Sequence, residues 1–300
     1  MYLLCYTFKM MKKLLPLLLF GGLALADTFE EIHEQKENIV RELDTIDTES
    51  KETLSQIVHS GFNLKAYKEN YFLPIGYRYD SKYIDNGTHP AEDVETEFQL
   101  SIRYDFASDW LGLGEIYSFG YTQRSFWQVY VPSAFFRESN YQPELFVSIP
   151  AYRFVGEKSF LKGFKFALIH QSNGRGGAYE RSWNRADLCT YLQYRHLVAE
   201  LELWYRFHEK NDYNPDLLDY LGYGQLQFIL PYKQHLFRLK LRSNILHHKN
   251  AVEFSYSYPL PVINNRDIFL YFKTFNGYGE SLIDYNHNVS KVSIGLAISR

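Results

Sequence analysis

His170 and Ser172 are separated by a single residue. Both fall on the even positions of a run, Phe164, Phe166, Leu168, His170 and Ser172, that begins apolar and ends polar. In an extended strand, residues i and i+2 share a face about 7 Å apart at Cα, within reach of a bond from the serine hydroxyl to imidazole Nε2. A histidine that takes a serine proton needs its other ring nitrogen held. Asn184 opens the even face of the following run, Asn184, Ala186, Leu188, Thr190, Leu192 and Tyr194. If the two runs pair antiparallel across residues 174–182, Asn184 lies beside His170 and accepts from Nδ1, which gives a Ser-His-Asn set suited to acyl transfer. Spacing alone also permits a plainer reading, in which the three are polar residues at strand ends.

No competing catalytic signature is present: the chain has no G-x-S-x-G elbow, H-E-x-x-H helix, P-loop or paired-cysteine metal motif. His247-His248 reads as a strand-end or loop pair. With 32 basic and 35 acidic residues the net charge is -3, so the phosphate neutralisation on which nucleic-acid affinity depends has no source.

The elements that must carry the trio follow from period. From Gly61 onward apolar and polar residues alternate, as in Phe98, Leu100, Ile102, Tyr104 and Phe106 against Gln99, Ser101, Arg103 and Asp105. Twelve such runs are expected, over residues 62–79, 95–107, 114–130, 141–155, 163–173, 183–195, 197–210, 219–232, 235–246, 249–260, 266–278 and 287–300. Leu201, Leu203 and Tyr205 keep the pattern with one aromatic exception, Trp204. Runs of this length suit tilted strands that cross a bilayer better than strands of a soluble sandwich. The 26 Tyr, 23 Phe and 4 Trp suit the belts where strands leave hydrocarbon for headgroups. The expected fold is an all-β, transmembrane antiparallel β-barrel of about twelve strands over residues 61–300.

Lys12 and Lys13 precede an apolar stretch, Leu14–Leu25, that closes in Ala24-Leu25-Ala26 before Asp27. This pattern predicts a signal peptide over residues 1–26, cleaved near Ala26, with Met1 or Met11 as the start. Export to the bacterial outer membrane follows. Cleavage would remove Cys5 and leave Cys189 alone, which excludes a disulfide framework. Residues 27–60, rich in Glu, Lys and Asp with apolar positions at threes and fours, read as a helical or disordered periplasmic preface.

His170-Gln171-Ser172-Asn173-Gly174-Arg175, followed by Arg181-Ser182-Trp183-Asn184-Arg185, resembles the active-site segment of the outer-membrane phospholipase A family. Tyr121–Ser125, Phe136–Tyr141 and Gly277–Asn286 are similar to further segments of that family, in the same order. The resemblance implies a twelve-stranded barrel with an outward-facing Ser-His-Asn site, calcium-dependent and active as a homodimer on phospholipid acyl esters. It implies Ser172 as nucleophile, His170 as general base and then acid, Asn184 as the group that orients His170, and the Gly174 backbone N–H as oxyanion donor. It places calcium on the carbonyls of Arg175 and of Ser133 of the partner subunit. A third family ligand, a serine, corresponds here to Glu180, a charged and harder oxygen donor.

Gln123 sits among Tyr117, Phe119, Tyr121 and Trp127 on one face, where its amide is expected to meet hydrocarbon without a partner in a monomer. The resemblance places it at the dimer interface. A passive pore or adhesin on the same barrel is the alternative, and it needs an open lumen. The inward Arg103, Asp105, Glu200, Glu202, Arg238, Lys240 and Arg242 are instead of both signs and able to pair. An outer-membrane protease would want paired carboxylates at the rim, and none stands out.

Overall fold

The structure, a computed structural model, describes residues 64–79, 91–260 and 268–300. The expected signal peptide over residues 1–26 and the expected preface over residues 27–60 lie outside them. The strands are β1 (Leu64–Ala66), β2 (Asn70–Arg78), β3 (Val94–Ser108), β4 (Ile116–Trp127), β5 (Phe136–Pro150), β6 (Leu161–Ser172), β7 (Ser182–Tyr194), β8 (Leu197–Arg206), β9 (Gly224–Tyr232), β10 (His235–Asn244), β11 (Lys249–Pro259), β12 (Phe269–Tyr278) and β13 (Asn288–Ser299). Every neighbouring pair is antiparallel. β13 pairs with β2 and β2 with β3, so β2 to β13 close into a twelve-stranded barrel, with β1 as a short extra pairing on β3. Among the described residues no helix is long and apolar enough to cross a membrane.

Alternation sorts side chains as lipid outside requires. Leu100, Phe119, Leu145, Phe166, Leu168, Leu203 and Ile294 stand exposed on the outer wall, whereas Glu95, Glu97, Asp105, Glu144, Lys165, Lys273 and Lys291 are buried inside. The inner charges pair across the lumen. Glu95 receives Arg137 Nε at 2.9 Å and Lys291 Nζ at 2.8 Å. Glu97 receives Arg124 Nε at 2.7 Å, Lys291 at 3.1 Å and Lys273. Nearer the termini, Arg238 meets Glu69 at 2.6 Å, Lys240 meets Glu253 at 3.2 Å, and Asp105 meets Lys65 at 3.3 Å and Arg103 at 3.6 Å. What remains is a polar cavity of about 260 Å³ lined by charged groups that include Lys165, Glu200, Glu202 and Arg242.

Four expected runs end differently from their alternation. The first is broken between Ala66 and Asn70, because Tyr67 turns into the lumen. Its ring stacks on Phe146 at 5.0 Å, its hydroxyl donates to Glu144 at 3.0 Å, and Lys165 Nζ donates to it at 2.8 Å. The run to residue 155 stops at Pro150, which has no N–H to continue a ladder, and a single helical turn follows, α1 (Tyr152–Val155). β8 ends at Arg206 rather than residue 210. The run over 219–232 opens as a helix, α2 (Leu217–Leu221), and becomes a strand only after Gly222 turns the chain at φ +67°. Trp204, the exception in alternation, points inward against Trp183 at 6.2 Å and donates to the Gly222 carbonyl at 2.8 Å. With Leu217, Leu221, Leu282 and Tyr285 these two rings form an apolar plug at the end of the barrel that carries His170.

Candidate active site

The β6–β7 hairpin sets His170 opposite Asn184 and Ser172 opposite Ser182. His170 Nδ1 and Asn184 Oδ1 lie 2.8 Å apart. His170 is exposed on the outer wall, at the polar end of the stripe that begins with Phe166 and Leu168. Ser172 shares that face, but among the described residues no hydrogen bond joins its hydroxyl to His170. Nucleophile–base bonds are often long before substrate binds. The arrangement places a hydroxyl and an imidazole, fixed from behind by an amide, where an acyl ester embedded in lipid can reach them.

The loop after Ser172 is built around Asn173, which the sequence reading passed over. Its amide donates to the Tyr179 carbonyl at 2.9 Å, and its oxygen accepts from the N–H groups of Arg181 at 3.0 Å and Arg175 at 3.3 Å. Gly174 takes φ +65°, and a Cβ there would meet the Tyr141 ring at 3.0 Å, so only glycine fits. Arg175 binds Glu138 at 3.3 Å and the Arg137 carbonyl. Glu138 in turn accepts from Ile283 N at 3.2 Å and Asn140 accepts from Leu282 N at 3.0 Å, while Arg137 pairs with Asp284. Phe136–Tyr141 and Gly277–Asn286 are thus the bracing of this loop. On the remaining side Tyr285 donates to Asp216. Burial, with that carboxylate, holds the phenol well above its ordinary range, so it stays a donor.

The expected calcium donors fit a hard cation. Among the described residues, the Arg175 carbonyl, the Ser133 carbonyl and the Glu180 carboxylate accept no hydrogen bond, leaving these oxygens uncommitted. Ser133 and Ala134 sit at φ +74° and +31°, a tight turn held by Trp127 Nε1 donating to the Ala134 carbonyl at 2.8 Å. No group of three His, Cys, Asp or Glu side chains able to hold a metal occurs among the described residues. The His247 ring lies 3.4 Å from Asp219 on the surface, and its backbone N–H donates to Asn244 Oδ1 at 3.3 Å. Cys189 is buried inside and donates to Glu200 at 3.1 Å.

Gln123 corrects an expectation. Its oxygen accepts from Tyr121 OH at 3.0 Å and its amide donates to Ser125 Oγ at 3.1 Å, which lies 2.8 Å from Ser139 Oγ. The amide therefore has partners within one protomer, because its neighbours at i−2 and i+2 on the same strand carry hydroxyls. Gln123 is also on one rung with the site: it pairs with Tyr141, and Tyr141 pairs with Ser172.

Comparison with known proteins gives the family. The family model described as phospholipase A1 matches residues 48–298. A putative phospholipase A1 of Neisseria meningitidis is 33% identical over 252 residues, 78% of this chain and 64% of that protein. Phospholipase A1 of Proteus vulgaris is 33% identical over 246 residues, covering 79% of this chain and 82% of its own. The crystal structure of the Salmonella typhi outer membrane phospholipase dimer with bound calcium superposes with a TM-score of 0.73 at 31% identity, over 82% of this chain and 97% of that one. The chain belongs to the phospholipase A1 family.

Proposed function

We propose that this protein is a calcium-dependent outer-membrane phospholipase that hydrolyses phospholipid acyl esters, of A1/A2 and lysophospholipase type. The observation that carries the reading is the His170–Asn184 bond on the lipid-facing wall, with Ser172 on the same face. Ser172 Oγ attacks the ester carbonyl as its proton passes to His170 Nε2, and His170 then returns a proton to the leaving alcohol. Water repeats the sequence on the acyl-enzyme. Asn184 holds Nδ1–H, so the imidazole keeps its plane and tautomer through both halves. The Gly174 N–H is the backbone donor to the oxyanion, worth about 3 kcal/mol in comparable sites. The Arg175 carbonyl, Glu180 and Ser133 of the partner subunit would hold calcium, which when bound would add positive charge beside that oxyanion.

The test is fatty-acid release from phospholipid–detergent mixed micelles by refolded protein, in calcium and in EDTA. Release in calcium that EDTA abolishes is expected, and a folded barrel that releases none in either condition overturns the reading. Glu180→Ala is expected to raise the calcium concentration for half-maximal activity about tenfold. An unchanged requirement removes Glu180 from the ligand set.

The homodimer belongs to the same proposal. Gln123 has one N–H and one lone pair beyond its bonds to Tyr121 and Ser125, and these are available to a second copy across a two-fold axis. Gln123→Leu is expected to weaken dimerisation in detergent about three- to tenfold, read by sedimentation, with calcium-dependent activity falling in proportion. Full activity in a demonstrably monomeric variant would sink the link between association and catalysis.

A further inference from the structure

Behind Asn184 stands a carboxylate. Asn184 Nδ2 donates to Glu209 Oε1 at 2.9 Å, and the Asn184 backbone N–H donates to the same oxygen at 3.0 Å. Phe207 N donates to the Asn184 carbonyl at 2.8 Å, which carries the β7–β8 ladder one step further and brings Glu209 over the hairpin. Ser182 N, bonded to Asn214 Oδ1 at 3.1 Å, ties the far end of the same segment down.

The orientation of an amide is ambiguous on its own, since oxygen and nitrogen exchange places with a flip. A carboxylate removes the ambiguity because, when ionised, it only accepts. With Glu209 on one side, the Asn184 NH₂ must face it and the Asn184 oxygen must face His170. An oxygen at 2.8 Å from Nδ1 then requires the proton on Nδ1, which leaves Nε2 bare and able to take the serine proton. The flipped amide would present N–H to Nδ1 and leave the proton on Nε2, the tautomer that cannot act as base.

We propose that Glu209 is a positioning residue that locks the Asn184 amide and, through it, the reactive tautomer of His170. The inference rests on the general-base role given to His170 above. Its charge also strengthens the Asn184 oxygen as an acceptor, since charge-assisted bonds are about twice as strong as neutral ones.

Glu209→Gln keeps the shape but can donate as well as accept, so it can bond the Asn184 amide in either orientation, preserving a loop anchor while weakening the lock. Measured with and without Asn184→Asp, it separates the two roles. In the Asn184 protein, Glu209→Gln is expected to lower kcat about five- to tenfold with KM unchanged. In Asn184→Asp the carboxylate accepts from Nδ1 in either orientation and is repelled by Glu209, so the same change is expected to leave kcat level or raise it. A kcat for Glu209→Gln within twofold of wild type, or an equal loss in both backgrounds, overturns the proposal. Labelling of Ser172 by an alkyl fluorophosphonate, followed in parallel, keeps the two readings apart. If the wild type labels but releases no fatty acid, the phospholipase reading fails, and the relative labelling rates of the four variants still decide the role of Glu209.

Discussion

Ser172→Ala is expected to reduce fatty-acid release by about a thousandfold or more, while leaving the barrel folded and the affinity for micelles unchanged. Serine occupies a half-buried position at the end of β6, facing outward, and makes no bond to His170 that the substitution could break. The loss therefore falls on bond formation alone, and what survives is the contribution of the oxyanion donor and of substrate binding. Strand content by circular dichroism and heat-modifiable gel mobility check that the variant folds. Retention of more than a tenth of the wild-type rate, with alkyl fluorophosphonate attached elsewhere, would move the nucleophile away from Ser172.

Glu97→Leu is expected to destabilise the barrel by about 3–5 kcal/mol, the usual cost of stranding buried charges by removing one partner. Glu97 is fully buried and gathers Arg124, Lys273 and Lys291, with Tyr71 donating to it at 2.6 Å. Lys291 keeps Glu95 and Glu280 within 3.0 Å, whereas Lys273 is left with Glu253 at 3.6 Å. The midpoint of guanidinium unfolding in detergent micelles measures the effect. Adding Lys273→Met should recover part of it, because the excess cation is removed with the excess cavity. A loss below about 1 kcal/mol would mean that water in the lumen already screens these charges.

Period two made the barrel legible, and most strand limits follow it within a few residues. Alternation reports which face a side chain takes, and in a lipid-facing sheet that is nearly all the fold requires. It failed where something other than the face decided. Tyr67 left its face for Glu144 and Lys165, Pro150 ended a ladder that alternation alone would have continued, and Leu217–Leu221 joined Trp183 and Trp204 in an apolar plug. The trio at His170, Ser172 and Asn184 was visible because i and i+2 geometry and a hairpin register are both written locally. Asn173, Glu138 and Glu209 were not, since each acts through a bond to backbone or amide across a loop, and no periodicity marks such a bond. Gln123 misled in one respect: hydroxyls two residues away on either side give its amide partners within the protomer, a local fact that attention to hydrocarbon overlooked.

The pairing of β6 has a consequence for assembly. Tyr141 opposite Ser172 and Asn184 opposite His170 hold only in one alignment. A slip of one residue would carry His170 and Ser172 into the lumen and turn Lys165, now buried among Tyr67 and Glu144, out into hydrocarbon. A misaligned hairpin is thus rejected by the bilayer before it can be tested by substrate. A chain that settles stably in the membrane in this alignment has, by the same act, set Ser172 and His170 on its outer face.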